Sequence, residues 1–105
     1  MPSARSDVYH AIADPRRREI LELLSDRERP VQELVGQFDV SFAAISQHLK
    51  VLREAGLVSR RSAGRTRLYR ATPAALEEVY DWTARYRDFW TKRIKKLNDY
   101  LDRTR

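Results

Sequence analysis

The amino-acid sequence predicts a mainly α-helical domain that carries one small β-hairpin and ends in a long helix. Apolar residues recur at spacings of three and four in successive segments, a pattern typical of amphipathic helices. Two short β-compatible runs flank a single turn that contains Gly64. At 105 residues, of which 42% are hydrophobic, the chain predicts one domain over residues 1–105 that is barely large enough to bury a full core.

The first two helices are separated by Asp14 and Pro15. Val8 and Ile12 share one face of a short first helix that we expect to start near Asp7. Asp14 is a favourable N-cap for the second helix, and Pro15 suits its first position because proline lacks the N–H that would be unpaired there. Four apolar residues predict the buried side of this second helix: Ile20, Leu21, Leu23 and Leu24.

Three consecutive arginines, at positions 16 to 18, stand in the first turn of the second helix. The helix dipole disfavours cations at that end. Because Arg18 and Glu22 are four residues apart, we expect the arginines to pair locally within the helix. Contact with phosphate is the alternative.

A helix-turn-helix is predicted between residues 31 and 56. After a polar turn at residues 25–30, a short helix over residues 31–38 presents an apolar face made of Val31, Leu34, Val35 and Phe38. A tight turn over residues 37–40 leads to a further helix, for which Ser41 is the N-cap and Gly56 the stop signal. Two short helices joined by such a turn are typical of this motif.

The helix that begins at Ser41 has distinct buried and exposed faces. Ile45, Leu49 and Leu52 recur at helical spacing and form the buried stripe. The other faces carry small or polar residues: Ala43, Ala44, Ser46, Gln47 and Lys50. The alanines permit close approach to a surface, serine and glutamine can hydrogen-bond to base edges, and lysine can reach a phosphate. An ordinary amphipathic helix with a polar solvent face is the alternative.

A basic β-hairpin follows directly. The runs LVSRR and TRLYR flank a turn in which Gly64 can supply a positive φ angle. A helix-turn-helix followed by such a hairpin is a winged helix-turn-helix, and its wing would carry four arginines: Arg60, Arg61, Arg65 and Arg67. Charged edges would also keep a small hairpin soluble, although that alternative does not require five arginines without an acid between residues 60 and 70.

The charge of the chain is concentrated in the same region. Residues 41–70 contain seven basic side chains and one acid, a net charge of +6 that equals the net charge of the whole chain. This asymmetry predicts a surface that binds a polyanion such as nucleic acid. A winged helix used only for protein interaction is the main competing hypothesis, because the fold alone does not specify DNA.

The last segment predicts one unbroken helix of about 30 residues, roughly 45 Å long, over residues 73–104. Thr72 is the expected N-cap, and an apolar stripe runs from Val79 to Leu101. Such a helix exceeds what a small domain can cover, so we expect it to pair with a second copy. The predicted dimer interface consists of Val8, Ile12, Val79, Trp82, Tyr86, Trp90, Ile94, Leu97 and Leu101. Packing of the stripe along its own subunit and an aromatic pocket for a small effector are the alternatives.

The segments ADPRRREILELL, SFAAISQHLKVLREAGLV and GRTRLYR together resemble the ArsR family of bacterial winged-helix repressors. The resemblance covers roughly residues 7–72. It implies a homodimer that binds a palindromic operator on double-stranded DNA and represses transcription, usually of its own operon. By this resemblance the helix from Ser41 enters the major groove. The predicted DNA contacts are Ser41, Ala43, Ala44, Ser46, Gln47, Lys50, Arg60, Arg61, Arg65 and Arg67.

The sequence departs from the metal-sensing members of that family. The chain has no cysteine, and the position of the family's thiolate motif falls near Pro30 and Gln32. The family's other metal site uses carboxylates and histidines on the last helix, but residues 73–105 contain no histidine. His10 and His48 lie far apart, and we interpret His48 as a packing or capping residue. The resemblance is therefore to the metal-independent branch, which includes repressors titrated by a partner protein, and no cofactor is expected.

Other protein classes are disfavoured by what the sequence lacks. No nucleophile with a paired acid and base is visible, so we do not expect an enzyme. The absence of cysteine excludes disulfides and thiolate chemistry. No apolar run approaches the length of a membrane span. These observations predict a soluble cytosolic protein.

Overall fold

A computed structural model of the chain describes the backbone of residues 4–104 and the side chains of residues 8–104. Helices dominate, and a small antiparallel sheet has the strand order β1-β3-β2. No helix within this part of the chain is long and apolar enough to cross a membrane. The elements are α1 (Ala4–Ala13), α2 (Pro15–Asp26), β1 (Arg29–Pro30), α3 (Val31–Gln37), α4 (Phe42–Glu54), β2 (Val58–Ala63), β3 (Thr66–Ala71), a short 3-10 helix (Pro73–Leu76), α5 (Glu77–Ala84) and α6 (Arg87–Arg103).

The core lies between α1, α2, α3, α4 and the inner face of the sheet. The predicted apolar stripes of the helices lie at its centre. The helix α1 begins at Ala4, three residues before the expected position 7. Its largest fully buried side chains are Ile20, Leu24, Leu34, Ile45, Leu49, Leu52 and Leu57. The mainly α fold with a small winged sheet is therefore confirmed.

The start of α2 forms as predicted. The Asp14 carboxylate accepts a 2.8 Å hydrogen bond from the Arg16 backbone N–H, and Pro15 occupies the first helical position. Burial raises the pKa of Asp14, but the backbone N–H groups of Arg16 and Arg17 and the Arg17 guanidinium outweigh it, so that its pKa is lowered overall.

Two of the three arginines of α2 pair with α1, and Arg16 lies over the Phe38 ring. Arg17 donates from Nε to the Ala11 carbonyl at 2.7 Å and from Nη2 to the His10 carbonyl at 3.0 Å. Arg18 donates from Nη1 to the Ile12 carbonyl at 2.7 Å. The expected pairing of Arg18 with Glu22 is therefore wrong. The last carbonyls of α1 have no partners within the helix, and they attract these cations at the negative end of its dipole.

Both ends of α4 are fixed by the signals in the sequence. Ser41 Oγ accepts a 3.1 Å hydrogen bond from the Ala44 N–H, and Gly56 adopts a φ of +78° after the last turn. The Leu57 N–H donates to the Leu52 carbonyl, and the Gly56 N–H donates to the Arg53 carbonyl, each at 3.0 Å. These two bonds form a Schellman motif, which satisfies carbonyls that the helix leaves unpaired.

The strand β1 lies in the segment that we expected to be only a polar turn. Its two residues, Arg29 and Pro30, pair with Tyr69 and Leu68 of β3, so the predicted hairpin becomes a three-stranded sheet. Arg29 is only 7% exposed. Its guanidinium donates from Nε to the Leu23 carbonyl at 3.0 Å and from Nη1 to a carboxylate oxygen of Glu33 at 3.2 Å. This strand pairing joins residues far apart in the sequence, so the spacing of apolar residues could not predict it.

The prediction of one unbroken C-terminal helix is wrong. A 3-10 turn precedes α5, and α5 ends at Ala84, where Arg85 and Tyr86 donate to the carbonyls of Trp82 and Thr83 three residues earlier. These short-range bonds tighten the last turn, and Tyr86 leaves the helical conformation with φ −104° and ψ 14°. Thr72 precedes the 3-10 helix rather than an α-helix, and its side chain makes no capping hydrogen bond. Its N–H donates to the Leu57 carbonyl at 2.7 Å.

The helix α6 extends away from the core. Every residue from Arg87 to Arg103 is exposed, and the radius of gyration is 18.0 Å, against about 13 Å for a compact domain of this length. Its apolar stripe is uncovered: Trp90 is 58% exposed. Five further exposed hydrophobic residues of α6 accompany it, namely Phe89, Ile94, Leu97, Tyr100 and Leu101.

The residues predicted for a dimer interface fall into two groups. Val8 is 3% exposed and lies in the core of its own chain, so it offers almost no surface to a partner. Ile12 and Val79 are half-buried against the same core. Six of the predicted residues remain exposed: Trp82, Tyr86, Trp90, Ile94, Leu97 and Leu101.

The Asp14 cap predicts a specific loss of stability in acid. Because its folded pKa is lowered, its stabilisation is fully present above the unfolded value of about 4 and is lost as the pH falls through the folded value. Replacement with alanine, Asp14→Ala, should reduce the free energy of unfolding at pH 7 by about 1 kcal/mol. Asp14→Asn should lose less at pH 7, and its deficit relative to the native chain should shrink as the pH falls below about 4.

Urea unfolding at several pH values measures both effects. Asp39→Asn is the matched control, since Asp39 is exposed and lies outside the N-cap. A deficit of Asp14→Asn that stayed constant from about pH 7 to about pH 2.5 would contradict the assignment.

Candidate nucleic-acid interface

The residues of α4 outside the core divide between three strips of the helix surface. Ser46 and Lys50 lie on the strip that faces the wing. Ala43 and Gln47 are exposed and stand one turn apart on the strip opposite the buried stripe. Ala44 is half-buried one turn before His48, on the edge that faces α2. There His48 Nδ1 lies 3.4 Å from Arg17 Nη1, which places His48 in a packing role.

Strand alternation separates the wing arginines. In β2, Arg60 pairs with Tyr69 of β3 and therefore shares the inner face of the sheet with that buried ring. Arg67 lies on the same face, because it is two residues before Tyr69. Arg61 pairs with Leu68 and points to the outer face. The turn between the strands holds Gly64 at a φ of +64°, with Arg65 beside it.

An open groove runs between α4, the start of α3 and the inner face of the wing. One helical stripe of α4 faces it, at spacings of four, four and three, and the wing supplies the opposite wall. Five cations and no acid occur among its lining residues, which are Val31, Gln32, Phe42, Ser46, Lys50, Arg53, Arg60, Arg65, Thr66, Arg67 and Tyr69. Cations that lack neighbouring acids keep their positive potential for an anionic ligand.

Arg61 does not join the other predicted contacts. Its guanidinium pairs with Glu28 on the outer face, through Nε to Oε2 at 3.1 Å and Nη2 to Oε1 at 2.6 Å. The hydrogen bond from Arg61 lowers the pKa of Glu28, and the nearby Arg70 adds to that effect. The pKa of Arg61 is raised by the same pair. This bidentate arrangement ties β2 to the segment before β1 and neutralises one wing charge.

Six residues of the groove were absent from the sequence-based prediction: Val31, Gln32, Phe42, Arg53, Thr66 and Tyr69. Phe42 and Arg53 belong to the same stripe as Ser46 and Lys50, so helical spacing from Ser46 could have identified both. Gln32 enters from α3, and only the packing of that helix against α4 brings it there. Ser41 stands just before α4. Its oxygen accepts the capping bond, which leaves the hydroxyl proton free to be donated.

Metal ligands do not cluster within residues 8–104. No group of three or more histidines, aspartates or glutamates lies close enough together there to hold an ion. His10 and His48 sit on different helices, and His48 is turned toward Arg17.

Known proteins share both the sequence and the fold. Residues 14–60 match the family profile described as "Bacterial regulatory protein, arsR family". The HTH-type transcriptional regulator Rv2034 of Mycobacterium tuberculosis (strain H37Rv) is 38% identical over 90% of this chain and 85% of its own length. The chain belongs to the ArsR family. The transcriptional repressor SdpR of Bacillus subtilis is 31% identical over 73% of this chain and 86% of its own length. An ArsR-like transcriptional regulator from Rhodococcus sp. RHA1 superposes with a TM-score of 0.74 at 29% identity, covering 94% of this chain and 91% of that one.

Membership of the ArsR family identifies the chain as a DNA-binding transcriptional regulator rather than an enzyme. It also favours DNA binding over a winged helix used only for protein interaction. The recognition helix of such a fold is the second helix of the helix-turn-helix, which is α4 here.

The separation of the wing arginines predicts different salt dependences for their variants. Each neutralised phosphate contributes about −0.9 to the slope of log affinity against log salt concentration. Arg60→Gln or Arg67→Gln should therefore make the slope shallower by about 0.9 for each phosphate that is no longer neutralised. Arg61→Gln is the matched control and should leave the slope unchanged, because Arg61 is held by Glu28.

Fluorescence anisotropy with a labelled duplex at several salt concentrations gives the slopes. An equal change for Arg61→Gln would mean that Arg61 leaves Glu28 when DNA binds.

Proposed function

We propose that this regulator binds a palindromic operator as a homodimer and represses its own operon in the cytoplasm without sensing a metal ion. In this proposal α4 enters the major groove and the wing arginines contact the adjacent phosphates. Base contacts come from Ala43, Ala44, Ser46 and Gln47, while Ser41, Lys50, Arg60, Arg65 and Arg67 bind the phosphate backbone. Arg61 has a lesser part, because Glu28 holds it on the outer face.

The acid-free groove between α4 and the wing is the observation that carries the proposal. Five cations line it, and four of them stand on opposite walls, where they can follow the two edges of a DNA groove: Lys50, Arg53, Arg60 and Arg67. A protein-binding surface would not require this exclusion of acids. A phosphate-binding surface does favour it, because carboxylates would repel the phosphates and would offset the free energy that counterion release supplies.

The exposed stripe of α6 supports the homodimer. Trp90, Ile94, Leu97 and Leu101 recur along one side of a helix that no described part of its own chain covers. A contiguous apolar surface of this kind is typical of an interface. A second copy offers an identical stripe, and a two-fold axis would bury both together. Two recognition helices could then meet successive major grooves about 34–36 Å apart.

Kinship rather than geometry supports repression in this proposal. The Bacillus subtilis relative is named a transcriptional repressor. Bound at an operator, a dimer of this size would block access of the polymerase to the promoter. A partner protein that binds the dimer could relieve the block.

Metal independence rests on the ligand set of this chain. It has no cysteine, and no histidine occurs after position 48. On α5 and α6 the only side chains of a metal-ligating type are therefore carboxylates, and carboxylates alone are weak ligands for transition metals.

A binding assay on the DNA upstream of the protein's own gene tests the proposal. The protein should bind this DNA at least about 100-fold more tightly than random DNA of equal length at physiological salt, approaching the range typical of specific regulators. Zinc at stoichiometric concentration, or a chelator, should leave the affinity unchanged. Equal affinity for the two DNAs would contradict autoregulation, and release of DNA by zinc would contradict metal independence.

The dimer predicts that Trp90→Ala impairs DNA binding at a distance. Removal of a tryptophan that is buried in an interface typically costs about 3–5 kcal/mol, and a two-fold interface contains it twice. The variant should be monomeric at micromolar concentration and should lose operator binding. Its fold should persist, because Trp90 is exposed in the single chain.

Sedimentation equilibrium, circular dichroism and DNA binding measure the three effects in parallel. Lys95→Ala, on the polar side of α6, is the matched control and should remain dimeric. A Trp90→Ala protein that stayed dimeric and bound the operator normally would place the interface elsewhere.

A further inference from the structure

The first residue of the recognition helix is an exposed aromatic ring. Phe42 is 56% exposed, although large apolar residues of α4 otherwise point into the core. It does not belong to the hydrophobic core or to the partly buried residues that pack against it. A single exposed ring is ordinary on a protein surface, so it is the place of Phe42 in the groove between α4 and the wing that points to a ligand.

Phe42 lies on the row of α4 residues that faces the groove. It begins the row that continues through Ser46 and Lys50, and all three line the groove between α4 and the wing. Phe42 is also the first helical residue after the Ser41 cap, so it stands at the end of α4 that approaches base edges in a helix-turn-helix complex. Cations and hydrogen-bonding side chains suited to DNA line the same groove, and Phe42 is the apolar residue of this row of α4.

The major groove presents one apolar group, the 5-methyl group of thymine. Amide and hydroxyl side chains read hydrogen-bonding edges, whereas a phenyl ring can gain only by covering apolar surface. We propose that Phe42 is a specificity-determining residue that packs on a thymine methyl group in each half of the operator. This inference rests on the proposed function and deepens it, because it names one base that the operator contains.

The neighbours of Phe42 support a fixed contact. Ser41 caps the helix through the Ala44 N–H, which holds the first turn of α4 in place. Val31 and Gln32 of α3 line the same groove as the ring. A ring on a capped and packed first turn loses little freedom on binding, so its contact with a methyl group can discriminate between bases.

Replacing thymine by deoxyuridine tests the inference directly, because it removes the methyl group and leaves base pairing intact. Sequences selected from a random duplex library by the native protein should contain a thymine at one fixed position of each half-site. Deoxyuridine at that position should weaken binding about fourfold in one half-site and on the order of 15-fold in both, as expected for one buried methyl group per subunit. Deoxyuridine at other thymines is the matched control and should change little.

The variant Phe42→Ala tests whether the ring is responsible for this discrimination. It should bind the thymine and deoxyuridine duplexes equally, and Phe42→Leu should keep part of the discrimination. The salt slope of Phe42→Ala should equal that of the native protein, whereas a displaced recognition helix would also neutralise fewer phosphates and change the slope. Thermal unfolding confirms that the variant is folded.

The outcomes separate this inference from the proposed function. Equal affinity of the native protein for thymine and deoxyuridine duplexes overturns the role of Phe42 and leaves operator binding intact. Discrimination that persists in Phe42→Ala overturns it as well, because another residue then reads the methyl group. Failure of the native protein to enrich any sequence overturns the operator itself.

Discussion

Burial of the inner stripe of α4 fixes the position of every residue on the exposed side of that helix. Ile45, Leu49 and Leu52 are almost completely buried, so the helix cannot rotate without exposing them. Leu57 extends this constraint to the wing. Its N–H bonds to the Leu52 carbonyl at the end of α4, and its carbonyl accepts from the Thr72 N–H at the end of β3. One buried residue thus links the recognition helix to both ends of the hairpin, which keeps the groove between them open.

Local signals made the helix-turn-helix and the wing predictable. Asp14 and Ser41 cap their helices, and Gly56 and Gly64 take the positive φ angles that their positions require. Each of these signals acts over a few residues, so no knowledge of the tertiary structure is needed to interpret them. The concentration of charge between residues 41 and 70 is likewise visible in the sequence alone, and it predicted the basic groove between α4 and the wing.

The errors arose where contacts between different elements, rather than helical spacing, decide the structure. The pairing of Arg61 with Glu28, the bonds from Arg17 and Arg18 to α1, and the short strand at Arg29 join segments that no periodic pattern connects. The break after α5 contains neither proline nor glycine. It accompanies an edge-to-face contact between Trp82 and Tyr86, and a second one between Trp82 and Tyr9 of α1, that hold α5 against the domain while α6 departs. Apolar spacing continued through the break and concealed it.

The network around Arg17 has a mechanical consequence. This side chain is only 12% exposed, and it connects the carbonyl end of α1, the cap of α2 and His48 on α4. Elements joined in this way move as one rigid body, so neither α1 nor α4 can shift alone. In the proposed dimer, the distance between the two recognition helices is then set by the angle at which α6 leaves that body at Tyr86. The spacing of operator half-sites and the identity of their bases would accordingly be encoded in separate parts of the chain, which leaves each free to change in evolution without disturbing the other.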